Sequence, residues 1–343
     1  MIGIDISDQT IKIVQLSAGR GRRLGCRYLH LLPPKVVVNG IVVDAAAMER
    51  EIAKALASCG AMYRKKDPVV ASIPESQSFL RVIEIPKMNE DEIGEAVQWE
   101  IAQHIPFGLE NVYIDWQLLA ASDHPIQPNH QEIQVGAAQK KVVDALYGVL
   151  KKLRLDVAAF ELESQAIVRS LVSQEWRLKE GLLIVDIGSS ATNVIVYEHG
   201  ASRFTASLAC GVASLISSLS PEDTHTVLEN LHALPADIVE KMRVVIIPGI
   251  QQLATDIRGI VDFTNTSNAK HEVTEIILTG GGSNLPGLDD AFQKHFDDVQ
   301  IQRGNPWVNI LTGSGATHPP MDLQESVRYT TALGLALRDS VPL

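Results

Sequence analysis

The sequence predicts an α/β chain made of two related domains, with a further unit inserted into the first. Three observations carry this. A strand–turn–strand opening recurs half a chain later, a β-α-β-β-α-β order lies between the copies, and a hydrophobic strand near the far end runs straight into three glycines.

The repeat comes first. Residues 2–16, IGIDISDQTIKIVQL, and residues 183–197, LIVDIGSSATNVIVY, share one form at an offset of 181 residues: apolar strand, Asp-Ile, small polar turn, β-branched strand. Each copy continues into another turn (SAGRGR; EHGASR) and another strand (LGCRYLHLL; FTASLAC), so each half opens as a β-meander.

Between the halves, FLRVIEI reads as a strand, and Asn89 with Glu92 three residues on makes a capping box. The helix so started has Ile93, Ala96, Val97 and Ile101 on its apolar face and stops at Pro106. NVYIDWQLLA, a polar loop SDHPIQPNH, QEIQVGAA, the helix KKVVDALYGVLKKL and LDVAAF complete the βαββαβ order. The expected organisation is a first domain of residues 1–83 and 156–180, an insert of 84–155, and a second domain of 181–343. Residues 211–270 form a mostly helical insert in the second domain, where RVVIIPGI reads as strand by β-branching and as helix by its neighbours.

Composition excludes several function classes. A chain of 343 residues with 45% hydrophobic content can bury a substantial core, and a formal charge of -11 disfavours nucleic acid or an anionic membrane as the main partner. Cys26, Cys59 and Cys210 are too few and scattered for a disulfide framework or structural zinc, and read as small buried hydrophobes in a reducing cytoplasm. No apolar run approaches the roughly 20 residues that span a bilayer, and MIGIDISDQT carries Asp where a signal peptide carries Lys or Arg. A cytoplasmic protein, not exported, is expected.

A small polar turn between two strands aims backbone N–H groups outward, as a nest for phosphate oxygens. The turns holding Ser7, Asp8 and Gln9, and Gly188, Ser189, Ser190 and Thr192, are expected to grip one polyphosphate from two sides. Asp5 and Asp186 at their mouths offer hard carboxylate oxygens for a hydrated Mg²⁺, and Lys12 a point charge for a phosphate. In TEIILTGGGSNLPGL, Gly280, Gly281 and Gly282 are expected to let backbone lie against a nucleoside, with Ser283 and Asn284 opening the next helix. No GxxxxGK[ST] or strand-borne GxGxxG is present, which disfavours the other common nucleotide folds.

Together the two hairpins, LTGGGSNLPGL and the closing TALGLAL resemble the actin-like ATPase superfamily, with its duplicated ribonuclease H-like domains, over essentially the whole chain. Within it, PKMNEDEIGEAVQWEIAQHIPFGLENVYIDWQLL resembles the PilM family of type IV pilus assembly proteins, relatives of the cell-division protein FtsA. The resemblance implies ATP with Mg²⁺ between the halves, enclosed by two connecting helices: ELESQAIVRSL, where Glu163 matches the acid that orients attacking water in related chaperones, and one containing Ala332, Gly334 and Ala336. ACGVAS and THTVLENL depart from the family pattern where relatives grip adenosine, so weak or absent ATPase activity is implied. The resemblance further implies a cytoplasmic platform, peripheral to the inner membrane only through its partner. It would hold the N-terminal cytoplasmic tail of PilN in a groove beside the insert, here placed at Ile105, Pro106 and Phe107, and connect it to the pilus alignment complex and assembly ATPases. A homo-oligomer is a further expectation. The alternatives are a polymerising actin homologue and, below it, a small-metabolite kinase; an FtsA-like membrane tether would carry a C-terminal amphipathic helix, which ALGLALRDSVPL does not resemble.

Overall fold

A computed structural model of the chain describes residues 1–17, 22–60, 67–105, 108–119, 129–173, 176, 181–267, 272–311 and 318–338. Pro106, Phe107, most of the SDHPIQPNH loop and the last five residues lie outside the described residues.

The first half grows around β1 (Ile2–Ile6), buried along its whole length, as a continuous apolar run demands. β2 (Thr10–Leu16) and β3 (Leu24–Leu31) follow it antiparallel. The short pair β4 (Val37–Val38) and β5 (Ile41–Val42) leads into α1 (Ala45–Ser58), whose start is fixed by Asp44 accepting from the Ala47 N–H at 2.8 Å. β6 (Val69–Ile73) returns parallel to β1.

The chain then leaves this sheet. β7 (Ser78–Pro86), α2 (Glu90–Ile101), β8 (Val112–Leu118) and β9 (His130–Gln139) form a unit with its own core. The Asn89–Glu92 capping box is present, and Ile93, Val97 and Ile101 pack on Ile83, Ile133 and Val135. α3 (Lys140–Lys152), β10 (Val157–Leu162) and α4 (Glu163–Leu171) lead to the second half. Here β11 (Leu182–Ile187), β12 (Thr192–Glu198) and β13 (Ala201–Leu208) repeat the meander. α5 (Val212–Leu215), α6 (Pro221–Asn230) and α7 (Ala236–Ser267) precede β14 (Glu275–Thr279), α8 (Leu288–His295), β15 (Gln300–Arg303), α9 (Leu323–Ser326) and α10 (Thr330–Ala336).

The duplication is visible in the sheets. The first has the order β3-β2-β1-β6-β10 and the second runs β13-β12-β11-β14-β15, each a meander followed by two parallel strands. The second sheet continues past β13 into β7-β9-β8, giving eight strands. That junction rests on the Phe204–Arg81 pairing, a 2.9 Å bond from Gln134 Nε2 to the Ser202 carbonyl, and the Arg203–Glu132 ion pair.

This arrangement corrects the expected βαββαβ subdomain. β10 pairs with β6 in the first sheet, and Leu146, Val149 and Leu150 of α3 share one core with Met48 and Ile52 of α1. The strand order alone does not say which sheet receives the last helix and strand. Their apolar faces match the first-domain core.

Three further expectations change. RVVIIPGI is helical, inside the 32-residue α7, because Met242, Ile246, Ile250, Leu253, Ala254, Ile257 and Val261 form a buried stripe at helical spacing despite Pro248. Residues 236–266 of α7 are also long and apolar enough to cross a membrane by length and composition, against the expectation of no such run, but that stripe is packed in the protein core. Cys26 of β3 and Cys59 at the end of α1 form a disulfide, with Cα atoms 5.5 Å apart. They are therefore not independent thiols. Cys210 is free.

Between the two sheets, the connecting helices α4 and α10 cross with backbone against backbone. A Cβ on Gly334 would lie 1.8 Å from the Ala166 carbonyl oxygen, and one on Gly3 2.1 Å from that of Ala332. Both neighbours are main chain and cannot rotate away. We expect Gly334→Ala to destabilise the chain by about 1–3 kcal/mol or more, read as a lowered urea midpoint at unchanged slope. An unshifted midpoint would mean that the helices separate freely.

Candidate functional site

The cleft between the halves holds a cavity of ≈ 400 Å³, within the roughly 300–1,000 Å³ range of ligand sites. Both strand turns reach it. In the first half Asp5 of β1 stands opposite Lys12 of β2; in the second, Asp186 of β11 stands opposite Asn193 of β12. The 181-residue offset thus places two carboxylates in matching registers, each beside a hydroxyl-bearing strand: Ser72 donates to Asp5 at 3.3 Å, and Thr279 is level with Asp186.

The turns themselves touch. Ser7 Oγ and Ser189 Oγ are 3.2 Å apart across the cleft, and Ser7 Oγ is also held by Thr10. Asp8 is engaged: its carboxylate accepts from the Asn39 and Gly40 N–H groups at 2.8 and 2.7 Å, fixing a turn in which both residues have positive φ. Ser190 Oγ is buried with no partner among the described residues. A buried hydroxyl left unmatched fits a polar ligand reaching the second turn.

Charge is concentrated at the floor. Lys12 Nζ pairs with Asp5 at 2.9 Å; burial favours its neutral form, but Asp5 and Asp186 together outweigh burial and hold the ammonium above its ordinary range. Burial raises the Asp186 carboxyl to about 6; Lys12 pulls it back, while Asp5 and Glu75 push it further up. Glu163, first residue of α4, is raised well above the usual carboxylate range by burial, then by Asp5, Asp186 and Glu75. Its Oε2 accepts from Asn193 Nδ2 at 2.9 Å and from the Glu75 N–H at 3.3 Å. Burial and the neighbouring acids thus favour its neutral form.

Of the residues singled out in the sequence, Asp5, Ser7, Asp8, Lys12, Glu163, Asp186, Gly188, Ser189, Ser190 and Gly280–Gly282 line this one cavity. Four do not. Gln9 holds the chain after β3 through its carbonyl, Thr192 Oγ1 donates to the Cys210 carbonyl, Ser283 Oγ to the Gly280 carbonyl, and Asn284 Nδ2 to the Gln324 carbonyl. The glycines divide by cause. A Cβ on Gly280 (φ +79°) would meet Asp186 Oδ1 at 2.4 Å, and one on Gly282 would meet Ile187 Cγ2 at 2.2 Å, so both are dictated by β11. Only Gly281 has room, facing the Arg328 side chain at 3.6 Å.

Sequence reasoning missed Glu75, Asn193 and Arg328. Asn193 was findable as the 181-residue counterpart of Lys12; Glu75 and Arg328 carry no local signal. Arg328 donates to the Leu228 and Glu229 carbonyls at 2.7 and 2.6 Å, closing the end of α6 over the cavity beside Leu228 and Leu231. Among the described residues no group of three His, Cys, Asp or Glu is set to hold a metal directly. The donor set fits a hydrated divalent ion that shares its charge with phosphates, not a protein cage.

Residues 3–340 match the family described as type IV pilus assembly protein PilM. The cell division protein FtsA of Borreliella burgdorferi is 25% identical over 205 residues, 51% of this chain and 46% of that protein. The chain therefore spans about half the length of the curated relative it matches. A chain of the PilM-PilN type IV pilus biogenesis complex superposes with TM-score 0.80 at 24% identity, covering 99% of this chain and 98% of that one. The ethanolamine utilization protein EutJ from Carboxydothermus hydrogenoformans gives 0.57 at 14% identity (98% and 88%), and MreB5 of Spiroplasma citri bound to ADP gives 0.50 at 13% (91% and 94%). The fold is actin-like.

The raised Asp186 carboxyl has a stability consequence. Its ordinary value is 3.8 and its folded value about 6, so between them the folded chain binds more protons than the unfolded one, and stability falls as pH rises through that window. Asp186→Asn removes the effect. We expect this variant to gain on the order of 2 kcal/mol relative to the natural chain between pH 4 and pH 7.5, by urea unfolding without ligand. A pH-independent difference would make Asp186 an ordinary carboxylate.

Proposed function

The chain belongs to the type IV pilus assembly protein PilM family, and on that footing we propose that it is an ATP-binding cytoplasmic platform that holds the N-terminal tail of PilN and links it to the pilus assembly machinery. The observation that carries this is the family match along nearly the whole chain, joined to a cleft in which both strand turns and the two carboxylates of matching register converge on one cavity.

Mg²⁺, when bound with ATP, supplies positive charge between the phosphates and the carboxylates Asp5 and Asp186. The chain's own residues do the rest. Ser7, Ser189 and Ser190 offer hydroxyls to the phosphates, Lys12 compensates charge beside Asp5, and Leu228, Leu231 and Gly281 frame the nucleoside end. Glu163, held by Asn193 and the Glu75 N–H, is fixed at the cavity, with its carboxyl raised by burial and by Asp5, Asp186 and Glu75.

The tail-binding groove is assigned anew. Ile105 is 8% exposed within the core of the insert, so it does not offer a peptide contact, and Pro106 and Phe107 lie outside the described residues. A second cavity, of ≈ 610 Å³, lies between the insert and the first half, lined by Leu80, Tyr113, Asp115, Gln117, Val143 and Phe160 among others. β8 ends its sheet, so its outer edge has backbone groups for an extended segment, and the apolar floor receives alternate side chains.

Two measurements test the reading. Saturating Mg-ATP is expected to raise the melting temperature; no shift, with silent calorimetry, would make the cleft vestigial. Tyr113→Ala and Asp115→Arg change exposed groove residues and should weaken capture of a PilN tail peptide about tenfold or more while leaving the melting temperature unchanged. Undiminished capture by both would place the groove elsewhere.

A further inference from the structure

The disulfide of the first half joins cysteines 33 residues apart, and the stretch it encloses reaches the cleft. Cys26 lies on β3, the edge strand of the first sheet, and Cys59 caps the C-terminal end of α1. Between them the chain supplies Leu29, Asn39 and Gly40 to the cavity wall. Asn39 and Gly40 form the tip of the β4–β5 hairpin, and their N–H groups are the pair that clasp the Asp8 carboxylate in the first strand turn.

That hairpin is held in costly backbone. Lys35, Asn39 and Gly40 have φ of 67°, 52° and 75°, and two of the three are not glycine. Left-handed residues of this kind persist only where their surroundings over-determine them. Three fasteners act on the stretch: the Asp8 clasp, the 2.6 Å contact of His30 on β3 with Glu51 on α1, and the disulfide eight residues further along α1. The polar contact holds the middle of the helix and the sulfur bond its end. Packing holds the rest, because Val36, Val37, Met48, Ile52 and Ala55 share one buried core with Ile4 and Ile11. Parting the sulfurs therefore loosens the enclosed stretch without undoing the fold.

In a cytosol kept reducing by small thiols and thioredoxin, a disulfide is characteristically transient, catalytic or redox-sensing. We propose that Cys26 and Cys59 form a reversible redox switch whose closure stiffens the hairpin that clasps Asp8 at the rim of the cleft. To open it, the thiolate of a small thiol such as glutathione attacks the Cys26 sulfur, since Cys26 is the less buried of the two. The Cys59 sulfur leaves with the bonding pair and takes up a proton. A second small thiol then displaces Cys26, so two small thiols become one small-molecule disulfide and the chain gains two thiols. Closure is the reverse, with the small-molecule disulfide as oxidant. The switch rests on the cytoplasmic reading above; in an oxidising compartment the bond stays closed.

The test equilibrates the full chain in glutathione buffers from oxidised to reduced, then counts open thiols by iodoacetamide labelling and mass measurement. Oxidised chain should take one label, at Cys210, and chain at a reducing cytosolic ratio three, with a reversible transition between. Hydrogen exchange reads the consequence: the Asn39 and Gly40 amides should exchange about threefold or more faster in the reduced chain, while those of β1 and β11 are unchanged. Cys59→Ser should show the faster exchange in both buffers, and Cys210→Ser should keep the response. No nucleotide is needed, so a cleft that fails to take ATP leaves this readout intact. Three labels after oxidation, one label at every ratio, or equal exchange at Asn39 and Gly40 in the two states overturns the proposal.

Discussion

Two helices cross with no side chain between them, and the cleft exists because of that crossing. α4 and α10 each join one sheet to the other half, and at Gly334 and Ala166 their backbones are in direct contact. The contact is locked by a buried ion pair, Arg169 with Glu161, and by the Arg169 guanidinium donating to the Gly334 carbonyl at 3.1 Å. Breaking one partner of such a pair would leave a buried charge unmatched, which is far more costly than the pair is stabilising. Both helices begin at the cavity, with Glu163 opening α4 and Thr331 lying in the first turn of α10. The place where the halves approach most closely is also where the ligand-facing residues are held.

Duplication supplied the frame and divergence the chemistry. The same register position carries Lys12 in one half and Asn193 in the other. Lys12 compensates its own strand partner, Asp5, whereas Asn193 reaches across to Glu163 while its oxygen accepts from Ser207 at 2.9 Å. Four carboxylates, Asp5, Glu75, Glu163 and Asp186, line the cavity around one lysine. Burial raises the carboxyls of Glu75, Glu163 and Asp186, neighbouring acids add to this at Glu163 and Asp186, and a bound cation would offset that negative charge.

The paired hairpins were legible because alternation, a shared Asp-Ile and a fixed offset are all local. So was the helix start made by side chains at Asn89 with Glu92. What failed was long-range. β10 reads as the end of the insert until its pairing with β6 is seen, and Cys26 meets Cys59 only because α1 folds back on β3. The triple glycine was read as a ligand contact, but two of its three positions answer to Asp186 and Ile187, neighbours almost a hundred residues away in sequence. The β-branched run of RVVIIPGI argued for strand and its neighbours for helix, and a stripe of seven buried side chains settles it as helix.

The junction between β13 and β7 makes the insert a lever. Its chain enters from β6 of the first half and returns into α3 of the same half, but its hydrogen bonds and its Glu132–Arg203 ion pair fasten it to the sheet edge of the second. Were the two sheets to turn about the α4–α10 crossing, the insert would go with the second, and the gap it spans toward the first half, the one lined by Tyr113 and Phe160, would change width. The geometry of the β13–β7 junction alone would then link the spacing of the two openings, without a dedicated relay of side chains.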